Sequence, residues 1–311
     1  MSSQQSELRT LSPNEILRNP HNPRLLFDPN TLATLEASIK EHGILVPLLV
    51  YRRGRDSKYV ILDGERRWRC ALNLKLARVP VNVVSEPKMI EGILRMFNIH
   101  NVRDRWELTP TALELEVVMR HLGTRSDKKL HEVTSLSGPD IRRCKALLTY
   151  PKKYLDMTLV AEKDERISGQ FLAELQPSLE PMLKLPEIHR NYTKTKIVDK
   201  MLDKYKRNEI KGIQELRTLN KLVRSIDKGA SRRAVADSLT AIMEQPGVGI
   251  RDSFKATAKI VYDAEKITKS CRALVKSISD LDPAQIDEKS EFVKSIKALR
   301  HTIDEFLKSI Q

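Results

Sequence analysis

Two arginines directly behind a glycine, in Asp63-Gly64-Glu65-Arg66-Arg67, have the types and the spacing to hold a phosphate. Glycine lets the backbone turn sharply with no Cβ in the way, so the free N–H groups of a helix starting there can face an anion. Arg66 and Arg67 add planar, permanently charged forks that take phosphate oxygens two at a time. On this spacing alone, a solvated and charged helix start is an equal alternative.

A second group of residues points to nucleic acid. Lys129 to Tyr150 matches a helix-turn-helix, with short helices over Lys128 to Leu136 and Pro139 to Tyr150 joined at Ser137-Gly138. Ser137 is placed to cap the second helix. Asp140, Arg142, Arg143 and Lys145 are expected to be exposed near its N-terminal half, while Ile141, Cys144 and Leu148 face inward. Arginine both reads guanine and grips phosphate, so the pattern leaves the division of roles open. His131 replaces the small residue usual in the first helix, and a plain helical hairpin is the alternative.

The elements that must position these residues follow from periodicity. Residues 8 to 90 read as a compact α/β unit. Thr31 to His42 places Leu32, Leu35 and Ile39 on one helical face, with Asn30 as cap and Gly43 as stop. Val46 to Tyr51 and Tyr59 to Leu62 form a β-hairpin, a helix follows Gly64 with Trp68, Ala71 and Leu72 on its apolar face, and a further strand runs from Val79 to Val84. Beyond residue 90 the pattern is helical throughout: Met89 to His100, Pro110 to Leu122 ending at Gly123, the helix-turn-helix, and a small unit from Ser168 to Gln176 ending at Pro177. Two long amphipathic segments, Phe254 to Ser279 and Gln285 to Ile310, form a closing α-hairpin around Asp282-Pro283. Its apolar stripes suit dimerisation or packing on the preceding helices.

Composition sets the broad class. Aromatics are 5% of the 311 residues and charged side chains 31%, a balance that favours helices packed through aliphatic residues. Lys and Arg number 55 against 41 acidic residues, a net of +14, which suits a polyanionic partner. More than half of that excess lies between Lys194 and Arg233, where 13 basic residues face 5 acidic ones. No run of about 18 apolar residues is present to span a membrane. Met1-Ser2-Ser3-Gln4-Gln5 lacks the features of a secretory signal, so the cytoplasm, on nucleoid or plasmid, is the expected location. Cys70, Cys144 and Cys271 are far apart and each lies in a helical apolar pattern, so all three are read as reduced core residues.

The order Asn19-Pro20-His21-Asn22-Pro23-Arg24, Leu35 to Gly43, Pro47, Gly64-Glu65-Arg66-Arg67-Trp68-Arg69-Cys70-Ala71 and Val79-Pro80-Val81 closely resembles the N-terminal domain of the ParB/Spo0J superfamily. The resemblance covers about residues 8 to 90, and more loosely extends to about 180. It implies an α+β, ParB/sulfiredoxin-like N-terminal domain followed by mostly α-helical domains, including the helix-turn-helix and the C-terminal α-hairpin. The implied boundaries are 1–90 for the nucleotide-binding domain, 91–185 for the helical domain, 186–250 for a basic helical segment or linker, and 251–311 for the hairpin.

It also implies CTP as the nucleotide and magnesium as its ion, with Arg24, Gly64, Arg66, Arg67, Asn98, Asn101 and Arg103 at the nucleotide and Glu65 in hydrolysis, a possible weak CTPase activity. The family's third element carries an acid before Asn-x-x-Arg, and Phe97 stands at that position. Sulfiredoxin shares this fold and places a catalytic cysteine in the corresponding turn, which Glu65 occupies here. The implied function is a nucleotide-switched, homodimeric DNA clamp in plasmid or chromosome partition or in transcription regulation, with a ParA-type ATPase as a further partner. The alternative is a ParB-like nuclease or other nucleotide-processing enzyme, for example in DNA defence.

Overall fold

β4 (Tyr59–Asp63) is buried at four consecutive positions, which a strand tolerates only when both faces of its sheet are covered. It lies in a five-stranded sheet with β1 (Glu7–Leu11), β2 (Ile16–Leu17), β3 (Leu48–Arg52) and β5 (Val79–Val84), in the order β1-β5-β3-β4-β2. The computed structural model describes residues 7–22, 29–54, 58–88, 90–94, 97, 107–162 and 165–310. The expected hairpin is present, with β3 and β4 antiparallel. β5 lies parallel to β3 and antiparallel to β1, and the two-residue β2 adds a parallel edge to β4.

Two helices flank the sheet. α1 (Pro29–His42) ends at Gly43, whose N–H donates to Ile39 O over 2.8 Å. The helix begins at Pro29, so Asn30, expected as its cap, falls inside its first turn. α2 (Glu65–Asn73) packs on α1 and on β3. Cys70 and Ala71 are fully buried, and the Trp68 indole N–H donates to Pro13 O over 2.9 Å. Trp68 is therefore a core anchor.

The helical body follows. α3 (Leu108–Leu122), α4 (Asp127–Thr134), α5 (Gly138–Leu147), α6 (Lys152–Met157), α7 (Gly169–Leu183), α8 (Pro186–His189), α9 (Lys194–Lys206), α10 (Ile213–Arg224), α11 (Arg232–Glu244) and α12 (Ile250–Thr257) surround one hydrophobic core running from Ile93 and Phe97 to Ala258. That core crosses the boundary near residue 185 at which the sequence separates a helical domain from a basic linker. The basic stretch is thus built into the body, as the buried Lys204 shows. Its ammonium donates to Glu209 Oε2 at 2.6 Å and to Gln245 O at 2.9 Å, and the pairing holds the Glu209 carboxyl down to about 2.

Two expectations need correction. The helix expected to stop at Pro177 continues to Leu183, with Pro177 and Pro181 inside it. An interior proline costs roughly 3 kcal/mol, and the burial of Phe171, Leu172, Leu175, Leu179 and Met182 on this one helix offsets that cost. Near the C-terminus, the segment expected to begin at Phe254 is two helices, α12 and α13 (Lys259–Ser279), which break at Ala258. Neither α13 nor α14 (Glu291–Ser309) has a buried residue, and Cys271, expected in a core, is exposed.

Candidate nucleotide and DNA sites

Gly64 has φ +96°, a left-handed conformation that delivers the chain from β4 directly into α2. A Cβ there would stand 2.7 Å from Leu48 Cδ2 and 3.0 Å from Arg67 Nη2, so only glycine fits the turn. Gly64 has no side chain with which to cap the helix that follows it. Arg66 and Arg67 follow immediately. Each is tethered to backbone: Arg66 Nη2 donates to Thr31 O at 3.1 Å, and Arg67 Nη1 donates to Val46 O and, at 3.1 Å, to Pro47 O. Arg67 also pairs with Asp63 at 3.2 Å. Both guanidinium groups therefore sit beside the turn, holding α1 and the loop that enters β3.

Glu65 points the other way. Only 4% exposed, it accepts from Asn22 Nδ2 at 2.5 Å, from Arg18 Nε at 3.1 Å and from Arg69 at 2.7 Å. Those contacts fasten the Asn19–Asn22 loop to α2. A cavity of about 250 Å³ lies beside this loop, lined by Arg18, Asn19, His21, Tyr51 and Arg53 among others. Sequence reasoning missed Arg18, Tyr51 and Arg53, which only the fold brings beside Asn19 and His21. His21 also reaches the helical body, with Nδ1 3.8 Å from Glu114 on α3, and burial pushes the Glu114 carboxyl up to about 7.

Arg24, Asn98, Asn101 and Arg103 lie outside the described residues, as do His100 and Trp106. Phe97 is fully buried in the core of the helical body. The turn suits a nucleotide phosphate, since it starts a helix and sets the Arg66 and Arg67 guanidinium groups beside that start. Magnesium fits less well: Glu65 is committed to Asn22, Arg18 and Arg69, Asp63 is paired with Arg67, and an apolar core residue occupies the third element's acid position. Among the described residues no group of three or more His, Cys, Asp or Glu is placed to hold a metal ion.

The helix-turn-helix residues converge on α4 and α5. Ser137 caps α5, its Oγ accepting from Asp140 N at 3.2 Å. The turn between the helices is made by Ser135, left-handed at φ +57°, and closed by His131, whose Nδ1 lies 2.8 Å from Leu136 O. A histidine suits this position because its ring N–H can satisfy the turn carbonyl. Arg142 projects into solvent, 64% exposed and 3.6 Å from Asp127, whereas Arg143 bonds Asp140 at 2.9 Å. Lys145 is only 22% exposed and is bonded to Arg125 O and Asp127, tying α5 to the start of α4. Ile141, Cys144 and Leu147 face the core fully buried, with Leu147 taking the place expected of Leu148. Burial pushes the Cys144 thiol up to about 12, as befits an inert core thiol.

Comparison with known proteins bears on this arrangement. Residues 1–96 match the ParB N-terminal domain family. The chain is 47% identical over 81 residues to the probable chromosome 2-partitioning protein ParB of Deinococcus radiodurans, covering 26% of this chain and 27% of that one. It is 34% identical over 146 residues to the stage 0 sporulation protein J of Bacillus subtilis, covering 46% and 49%. The matches thus span about half or less of these relatives. A C-terminally truncated Caulobacter crescentus ParB, solved with CTP-gamma-S, aligns at 26% identity and TM-score 0.30 over 54% of this chain and 92% of that one. No helix among the described residues is long and apolar enough to cross a membrane. The likeness to the ParB N-terminal domain thus covers residues 1–96, and the relatives that share it are a chromosome-partitioning protein and a sporulation protein.

Proposed function

We propose that this chain is a nucleotide-switched DNA-binding protein of ParB type, acting in chromosome or plasmid partition. The observation that carries the reading is the left-handed Gly64, which opens the N-terminus of α2 beside Arg66 and Arg67. CTP is the nucleotide that the family resemblance implies, with its phosphates at this turn. Arg24, Asn98, Asn101 and Arg103 complete the proposed ligand set. Glu65 supports binding by holding the Asn19–Asn22 loop to α2.

The tethers of the two arginines suggest how the nucleotide acts as a switch. Phosphates at the turn compete with Thr31 O for Arg66 and with Val46 O and Pro47 O for Arg67. A phosphate offers the guanidinium an opposite charge and two acceptor oxygens, where a carbonyl offers one neutral acceptor. Nucleotide therefore favours a state in which α1 and the loop entering β3 are released, and it shifts the population by its differential affinity. The exposed Ile260, Ile267, Val275 and Phe306 on α13 and α14 are the surface we assign to homodimerisation. DNA is held at α5 through Arg142 and Arg143, and a ParA-type ATPase is the partner that partition implies.

The relatives named above are partition and sporulation proteins, which favours this reading over a nuclease. Selection from a random pool of duplexes tests it. The reading expects one enriched sequence, lost in Arg142→Ala, and CTP-dependent retention on closed circular DNA carrying that sequence. No enrichment by the wild-type chain would refute it.

A further inference from the structure

The groove between α10 and the corner formed by α12 and α13 is lined by cations from three helices. Arg217 and Lys221 come from α10, Arg251 and Lys255 from α12, and Lys259 from the start of α13, around a cavity of about 460 Å³. None of the described carboxylates lines it. Those that answer its cations stand outside or beneath: Glu174 is 2.8 Å from Arg217, Asp263 3.5 Å from Lys259, Asp252 3.6 Å from Lys255 and Glu215 3.9 Å from Arg251. These four cations keep between 50% and 69% of their side-chain surface exposed, so each can turn to a second anion.

One carboxylate links the groove to the second helix of the helix-turn-helix. Glu174 on α7, which binds Arg217, also lies 4.0 Å from Arg143 on α5. Glu174 thus stands between Arg143 of the second helix and Arg217 of the groove. Five cations gathered this close to the second helix match the repeated negative charge of a duplex backbone better than an isolated acidic ligand.

We propose that this groove grips the phosphate backbone of the duplex flanking the sequence held by α5, forming a second and sequence-independent DNA contact. The inference rests on the DNA-binding reading above. Arg217 enters the groove from the side of α5, and Lys221, Lys255 and Lys259 extend the contact away from it. Phosphate contacts of this kind position the protein and carry no sequence information. Each one released lowers the logarithmic salt dependence of binding by about 0.9.

Fluorescence anisotropy of the full chain with a labelled random-sequence duplex, over a series of salt concentrations, tests this. The variant Lys221→Gln/Lys255→Gln/Lys259→Gln is expected to reduce the salt slope by about 2.7, so that raising salt fourfold weakens it about 40-fold less than wild type. The matched Lys221→Arg/Lys255→Arg/Lys259→Arg variant keeps the charge and is expected to keep the wild-type slope. Wild-type slope and affinity in the Gln variant would overturn the inference alone, as would loss of slope in the Arg variant. A Gln variant that binds duplex normally but no longer binds poly-glutamate would assign the groove to an acidic protein and overturn it too. Failure of the wild-type chain to bind any duplex would bring down the DNA-binding reading itself.

Discussion

Replacing Glu65 with alanine separates a structural role from a chemical one. The carboxylate is buried and accepts from Asn22 at 2.5 Å, Arg18 at 3.1 Å and Arg69 at 2.7 Å. A hydrogen bond from an amide to a charged group contributes about 1.5–3 kcal/mol. The two arginines are 42% and 35% exposed, so each pairing contributes at most about 1 kcal/mol, and their charges can reach water once the carboxylate is gone. Together these give a loss of about 3 kcal/mol. For a domain of this size that corresponds to a fall of about 10 °C or more in the midpoint of the N-terminal unit. Differential scanning calorimetry reads it, and Glu65→Gln, which retains one acceptor, is expected to fall between alanine and wild type. An alanine variant with the wild-type midpoint would refute the assignment of Glu65 as the hub between the Asn19–Asn22 loop and α2.

Three further predictions follow from the geometry. Gly64→Ala combines a left-handed backbone with a Cβ 2.7 Å from the buried Leu48, and is expected to cost about 2–4 kcal/mol in denaturant unfolding; a loss below about 1 kcal/mol would mean the turn can relax. Glu114 has its pKa raised by burial from 4.5 to about 7, so its favourable contribution is complete below about pH 4.5 and is lost as pH rises through about 7. After screening, Glu114→Gln is expected to gain about 2 kcal/mol over wild type at pH 8 and nothing at pH 4.5, and an equal gain at both would contradict the assignment. His131→Ala removes the closure of the turn at Leu136 O and is expected to cost the helical body about 1 kcal/mol, measured as a lower thermal midpoint.

Local chemistry was legible in the sequence wherever one segment carried it. The β3–β4 hairpin, the helix behind Gly64, the strand Val79–Val84 and the two helices of the helix-turn-helix all follow from periodicity and turn residues. What depended on distant segments was not. The parallel edge strand Ile16–Leu17 is too short to show a period. α7 runs through two prolines because its other face is buried, a tertiary effect that local propensity opposes. At the site, spacing singles out Arg66 and Arg67, but the partners of Glu65, Arg18 and Asn22, lie more than forty positions upstream and only the fold brings them to it. The partner of Lys145, Asp127, is likewise visible only in the fold. Charge counting located the basic stretch from Lys194 to Arg233 but could not show that Arg217 and Lys221 face Arg251 and Lys255 across a groove.

The most direct test of the central claim, that the Gly64–Arg67 turn holds a nucleotide, is calorimetric titration of CTP into the full chain with and without DNA. Saturable binding is expected, stronger for CTP than for ATP or GTP, and weakened roughly 10- to 100-fold by Arg67→Ala through loss of a charge-assisted phosphate contact. Absence of CTP binding under both conditions, or equal binding by Arg67→Ala, would contradict the account.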